Sequence, residues 1–160
     1  MDVYNNHFEL IGKTIERGQK GLEKNEYIMI AIVFIKNSEG NYLIQKASKD
    51  KANTFSTTGG HVLHKETPEE AIVREVEEEL GLKVGHQQFK LIDRIILKDK
   101  PCIFNVYILK SNFNTHQMKI QEEEVERVYW LDKNQIINLI EEESFLQSHG
   151  EIFKLINNIY

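Results

Sequence analysis

Three glutamates near the middle of the chain are spaced so that their carboxylates would lie close together. Thr67-Pro68 predicts the start of a helix, with threonine as the N-cap and proline at the first helical position. On that helix, Glu75, Glu78 and Glu79 fall within about 100° of one another around the axis. Like charges within one turn repel each other, so the arrangement stabilises the helix only when a positive charge lies beside it.

Oxygen ligands grouped this closely suit a hard divalent cation, Mg²⁺ or Mn²⁺. Thiolate or imidazole ligands would indicate zinc, and this face of the helix carries neither. Arg74 can reach Glu70 or Glu78 along the helix, or hold a carboxylate in a bidentate grip. A glutamate-rich helix taken alone is more often a solvated surface, so the choice between the two interpretations depends on the surrounding residues.

Residues 60–82, GHVLHKETPEEAIVREVEEELGL, resemble the Nudix box: glycine, five residues, glutamate, seven residues, then R-E-U-x-E-E-x-G-U, where U is a bulky aliphatic residue. Seven required identities, each at a usage of roughly 7%, give a chance match on the order of 10⁻⁸ per start position. The residues at the defined positions are Gly60, Glu66, Arg74, Glu75, Val76, Glu78, Glu79, Gly81 and Leu82. The spacing therefore favours the metal-binding interpretation.

The resemblance to Nudix hydrolases implies an α/β fold, an α/β/α sandwich around a mixed β-sheet. It also implies a MutT-like, magnesium-dependent pyrophosphohydrolase that cleaves a diphosphate linkage in a nucleoside diphosphate derivative or a similar compound. Glu78 and Glu79 would be the principal ligands of Mg²⁺ or Mn²⁺, and Glu75 a further ligand or a base. The carbonyl of Gly60 would join them.

Two further box residues have roles that the resemblance implies. Arg74 would orient a box glutamate, and Glu66 would support the geometry between loop and helix or bind a second ion through water. The general base stays open. In many relatives the general base comes from a loop later in the chain. Here the acidic stretch at 122–126 precedes the strand where such a glutamate would lie, and Glu124 is the first choice. The alternative is a solvated acidic loop.

Several departures from the usual pattern resemble the isopentenyl-diphosphate isomerase branch of the family. Relatives that hydrolyse nucleotides often have proline just before the paired glycines, whereas this chain has Thr57-Thr58 there. Phe55 stands where many relatives have an upstream tryptophan. Isomerases use a catalytic cysteine in a loop, whereas the single cysteine, Cys102, lies in a strand pattern and is expected to be a small buried hydrophobe. Isomerase activity is therefore not expected.

Three residues are candidates for substrate binding. Lys46 and Arg17 could face a phosphate, and Phe55 could stack on a base. The competing interpretations are that Lys46 is a charged residue at a strand end, that Arg17 is a turn residue and that Phe55 packs against other side chains. His61 and His64 occupy positions that the family pattern leaves free, which favours structural or surface roles.

The segments that must position these residues alternate between strands and helices. Apolar patterning predicts strands at 27–36, 42–46, 61–63, 89–97, 103–109 and 127–131, with a turn at 37–41 and a loop at 47–58. It predicts helices at 68–80, 133–142 and 145–159, the first with a capping box formed by Thr67 and Glu70. Residues 1–26 form a less regular extension with a short strand at 7–11.

Composition narrows the class of protein. The 160 residues fit one domain, 1–160, and a net charge of −5 argues against a nucleic-acid polymer as partner. The longest apolar run, 28–35, is too short to cross a membrane, and a single cysteine can form no internal disulfide. We expect a cytoplasmic enzyme with a small-molecule diphosphate substrate, with a homodimer left open. A metabolite-sensing Nudix domain without catalysis is the alternative, and the intact glutamates favour catalysis.

Overall fold

The structure is a computed structural model that describes residues 1–18, 20–49 and 53–158. Its strands are β1 (Asp2–Tyr4), β2 (Leu10–Thr14), β3 (Ile28–Lys36), β4 (Tyr42–Ala47), β5 (Phe55–Ser56), β6 (Thr58–His61), β7 (Lys90–Ile96), β8 (Cys102–Lys110) and β9 (Val125–Leu131). Its α-helices are α1 (Pro68–Leu80), α2 (Lys133–Glu141) and α3 (Gln147–Asn157).

The central sheet is mixed, as predicted. Strand β3 pairs in parallel with β8 and antiparallel with β4 and β6, and β7 joins the far side of β8. Strands β3 and β4 pair only at their turn, through Lys36 and Tyr42. Beyond that point β6 pairs with β3, while β5 and β9 pair with β4. Strands β1 and β2 form a separate two-stranded sheet, here called the N-terminal hairpin.

Helices cover both faces of this sheet, which confirms the α/β/α sandwich. Because side chains alternate along a strand, β3 contributes Ala31 and Val33 to one core and Ile32 and Phe34 to the other. The first core includes the buried residues of α1, and the second includes those of α2 and α3. A strand that is apolar on both faces therefore lies between two helical layers, as its sequence predicts.

The helix α1 begins and ends where the sequence predicts. The Thr67 hydroxyl accepts the Glu70 N–H at 3.1 Å, and Gly81 adopts a left-handed φ of 68° while its N–H donates to the Glu77 carbonyl. Only half of the predicted capping box forms, because the Glu70 carboxylate accepts from the Thr67 hydroxyl at 3.2 Å. A complete box forms instead at α2, between Asp132 and Gln135.

Three strand boundaries differ from the prediction. The strand expected at 7–11 begins at Leu10, because the Asn5 side chain accepts the N–H groups of His7 and Glu9 and holds a turn there. The strand expected at 61–63 is β6, which ends at His61. The loop expected at 47–58 contains β5 and the start of β6, although residues 50–52 lie outside the described residues.

Both missed strands are short and depend on distant partners. Strand β6 contains two glycines, which have weak strand propensity, and it forms because Gly60 pairs with Ala31. None of the helices in the described ranges is long and apolar enough to cross a membrane.

Candidate active site

The inner side of α1 brings carboxylates against the sheet. Two of the three glutamates lie among the buried residues of the helix. Ala71 and Ile72 are fully buried and lie about 40° and 60° to either side of Glu75, so Glu75 and Glu79 lie within the buried arc. The Glu75 side chain is 13% exposed, whereas that of Glu78 is 51% exposed.

Paired glycines in β6 make room for these carboxylates. A Cβ atom on Gly60 would overlap the carboxylate of Glu75, and one on Gly59 would overlap the backbone oxygen of Ala31. Gly59 therefore cannot carry a side chain without a shift of the backbone, whereas a side chain at position 60 would displace the Glu75 carboxylate, which lies directly beside the main chain of Gly60.

Arg74 joins the loop before α1 to the acidic groups. Its Nε and one Nη donate to both oxygens of Glu66 at 2.8 and 3.0 Å, which is a bidentate pair. The other Nη donates to Glu75 at 2.8 Å and to Glu78 at 3.2 Å. A further bond of 3.0 Å reaches the carbonyl of His61. Glu66 thus supports the loop and helix, the first of its two implied roles.

The pKa values of the inner carboxyls are raised. Burial is the largest cause for Glu79, and the charges of Glu75 and Glu124 add to it, which raises the pKa of Glu79 to about 8. Hydrogen bonds from the Gln45 amide, at 3.1 Å, and from the Gly59 N–H act in the opposite direction. Burial also raises the pKa of Glu75 against the opposing effect of Arg74. These carboxyls titrate as a coupled group.

A cavity of about 490 Å³ opens above the glutamates. Its lining includes Glu75, Glu78 and Glu79, together with Glu124 from the acidic loop and Arg17 from the N-terminal segment. A larger hollow of about 890 Å³ runs along the outer side of α1, but neither Glu75 nor Glu79 lines it. We assign the chemistry to the smaller cavity, called the acidic cavity below, because the buried carboxylates face it.

Lys46 and Phe55 do not line the acidic cavity. Because the side chain of Gln45 contacts Glu79, the next residue on β4 points to the opposite face of the sheet. There Lys46 lies 3.6 Å from Glu126 and 5.7 Å from the ring centre of Phe55, and Phe55 packs against Tyr129. Phe55 is therefore a packed ring and Lys46 a charged residue at a strand end.

Of Cys102, His61 and His64, only His61 lines the acidic cavity. Cys102 is half-buried against the second core and does not line the acidic cavity. His64 is on the surface and pairs with Asp2 at 2.6 Å. His61 lines the acidic cavity, where burial first, and then the charge of Arg17, lowers its pKa.

Sequence reasoning missed two contributors to the site. Gln45 holds Glu79, and the signal for it was a polar residue inside an otherwise apolar strand. Gln121 lines the acidic cavity, and its N–H donates to the carbonyl of Glu79 at 3.1 Å. No local pattern points to Gln121, because its position depends on how the 111–124 segment packs back onto the end of α1.

The groups around the acidic cavity fit a hard cation by their chemistry. Burial raises the pKa of Glu75 and of Glu79, and the charge of Glu75 raises that of Glu79 further, so a cation in the cavity would favour the ionised form of both. Within the described residues, no three acidic, histidine or cysteine side chains have already converged to metal-ligand separation. Arg74 holds one oxygen of Glu75 and one of Glu78, so each carboxylate keeps a second oxygen for an ion.

Comparisons with known proteins agree with this geometry. An uncharacterized Nudix hydrolase of Listeria monocytogenes is 40% identical over 87 residues, which are 52% of this chain and 51% of that protein. The 8-oxo-dGTP diphosphatase of Escherichia coli is 34% identical over 42% of this chain and 53% of its own length. The chain thus spans about half the length of these curated relatives.

A solved structure from Deinococcus radiodurans shares the fold, with a TM-score of 0.79 and 22% identity over 99% of this chain and 97% of that one. The family model for the NUDIX domain matches residues 27–155, which is most of the chain and includes the whole box. The chain therefore belongs to the Nudix family of hydrolases.

Proposed function

We propose that this chain is a metal-dependent pyrophosphohydrolase that cleaves a diphosphate linkage in a nucleoside diphosphate derivative or a similar compound. The observation that carries the proposal is the position of Glu75 and Glu79. The carboxylates of Glu75 and Glu79 are largely withdrawn from solvent at the wall of an open cavity, with Glu78 at its rim. Such an arrangement costs folding free energy unless a cation binds there.

Glu75, Glu78, Glu79 and the carbonyl of Gly60 would hold Mg²⁺ or Mn²⁺. A bound cation supplies charge neutralisation at the phosphate oxygens and acidifies water. Arg74 keeps Glu75 and Glu78 within reach of each other, and Glu66 fixes Arg74 in turn. Two relatives, an uncharacterized Nudix hydrolase and an 8-oxo-dGTP diphosphatase, support the same reaction class.

Glu124 is our candidate for the general base. It lines the acidic cavity, and its charge contributes to raising the pKa of Glu79. A carboxylate on the wall opposite α1 can take a proton from attacking water without giving up a bond to the cation. Glu75 is the alternative base, because the resemblance leaves it as either a ligand or a base.

The test is a panel of nucleoside diphosphate derivatives incubated with Mg²⁺ or Mn²⁺, with the phosphate-monoester products of cleavage separated and quantified. Glu78→Gln should lower turnover by several orders of magnitude and weaken Mn²⁺ binding in a calorimetric titration. Glu77→Gln is the matched control, because Glu77 is on the same helix, is equally exposed and does not line the acidic cavity.

Two outcomes would contradict the proposal. The first is a wild-type protein that binds Mn²⁺ and a diphosphate but cleaves no compound of the panel, which is the behaviour of a metabolite-sensing domain. The second is a Glu78→Gln variant with the same turnover as Glu77→Gln, which would remove Glu78 from the mechanism.

A further inference from the structure

The acidic cavity has an imbalance of charge that bears on how it binds an anion. Five glutamates line it, against two arginines, Arg17 and Arg74. A diphosphate carries several negative charges, and a cation held by three of the glutamates offsets only part of them, so the far phosphate is still repelled by the acidic lining. An additional positive group near the substrate would reduce that repulsion.

Arg74 cannot fill this role, because its donors are already used. A guanidinium has five N–H donors, and those of Arg74 make five hydrogen bonds. Two go to Glu66, and one each goes to Glu75, Glu78 and the carbonyl of His61. A bond to substrate would therefore break one of the contacts that hold the acidic groups together.

Arg17 is differently placed. It is exposed, and its guanidinium takes part in none of the ion pairs found among the described residues. It lines the acidic cavity together with Gly60 and His61, which are neighbours on β6. Its side chain is therefore available to an anion that binds in the cavity.

The segment that carries Arg17 is fixed to the box. Asp2, which is 8% exposed, accepts the Lys65 N–H at 2.8 Å and pairs with His64 at 2.6 Å, so β1 is tied to the loop that precedes α1. Ile15, two residues before Arg17, is buried. The position of Arg17 over the cavity is therefore set by tertiary contacts of the N-terminal hairpin.

We propose that the N-terminal segment, residues 1–18, completes the substrate site, with Arg17 donating hydrogen bonds to a non-bridging phosphate oxygen of the diphosphate and Asp2 acting as its positioning residue. The proposal rests on the proposed function, which supplies the diphosphate. It adds a part of the chain, residues 1–18, that lies outside the 27–155 range of the family match.

The test compares Arg17→Ala with Arg127→Ala, an exposed arginine on β9 that does not line the cavity. Loss of a charge-assisted hydrogen bond should raise KM for the diphosphate substrate roughly 10- to 100-fold and change kcat little. Arg17→Lys should recover part of the loss. Asp2→Asn should give a smaller rise in KM, and the double variant should show less than the sum of the two effects.

Binding of inorganic pyrophosphate, measured by calorimetry with Mg²⁺ present, separates this proposal from the proposed function. Weaker pyrophosphate binding by Arg17→Ala than by Arg127→Ala supports the role of Arg17 even when the wild-type protein cleaves no diphosphate compound. Equal binding by the two variants, equal KM values, or no pyrophosphate binding by the wild-type protein would overturn it. Equal urea midpoints for the variants exclude a loss of folding as the cause.

Discussion

Replacing Glu79 by glutamine should make the unfolding free energy of the metal-free protein much less dependent on pH. The pKa of Glu79 is about 8 in the folded protein, against an ordinary value of 4.5, because its carboxyl is buried beside Glu75. The folded state therefore holds a proton that the unfolded chain has already lost. The stability linked to this group is fully present below pH 4.5 and is lost as the pH rises through about 8.

The size of the effect follows from the two pKa values. Each pKa unit corresponds to about 1.4 kcal/mol, so raising the pH from 5 to 9 should reduce the stability of the wild-type protein by up to about 4 kcal/mol through Glu79. Glutamine is the same size and can still accept the hydrogen bond from Gln45, but it has no charge to bury. The difference in stability between Glu79→Gln and wild type should therefore increase with pH in favour of the variant.

The assay is urea denaturation in the presence of a chelator at several pH values between 5 and 9, with Glu77→Gln as the control for a general change of charge. Plots of unfolding free energy against pH should be parallel for wild type and control and flatter for Glu79→Gln. Added Mg²⁺ should stabilise the wild type at high pH and leave Glu79→Gln almost unchanged. Parallel pH profiles for wild type and Glu79→Gln would refute the burial of this carboxyl beside a second charge.

Two further substitutions test the framework of the site. Gly60→Ala would push a methyl group into the Glu75 carboxylate, so it should destabilise the fold by about 1–3 kcal/mol and abolish turnover. Urea denaturation measures the first effect and cleavage of the diphosphate substrate the second; full activity would contradict the close packing. Arg74→Lys replaces a planar fork by a single ammonium that cannot hold Glu66 bidentately, so the free energy of unfolding should fall by about 1–3 kcal/mol and Mn²⁺ affinity should drop in calorimetry. An unchanged Mn²⁺ affinity would remove Arg74 from the positioning of the ligands.

Local sequence patterns were sufficient wherever a structure depends on neighbours along the chain. Thr67, Pro68 and Gly81 set the limits of α1 because capping and left-handed termination involve residues within one turn. The apolar run of β3 and the turn after it were predicted for the same reason. The strands β5 and β6 were not, because their residues have little intrinsic preference for a strand and depend on pairing with β4 and β3.

The site divides in the same way. The spacing of Glu75, Glu78 and Glu79 indicated a common region of α1, but helical angles alone do not show how far each carboxylate is exposed. The structure buries two of them, because Ala71 and Ile72 pack against the sheet on either side. Lys46 was a reasonable phosphate-binding candidate by charge, and the alternation of side chains along β4 places it on the other face.

The sequence by itself determined the identity and spacing of the acidic groups, the helix that carries them and the layered fold, because each of these depends on residues a few positions apart. Only the tertiary structure decided which carboxyls are withdrawn from water, that Arg17, Gln121 and Glu124 line one cavity, and that Gln45 bonds to Glu79. Burial, pKa and the distance between charges are properties of contacts between segments far apart in the chain. A one-dimensional pattern does not contain those contacts.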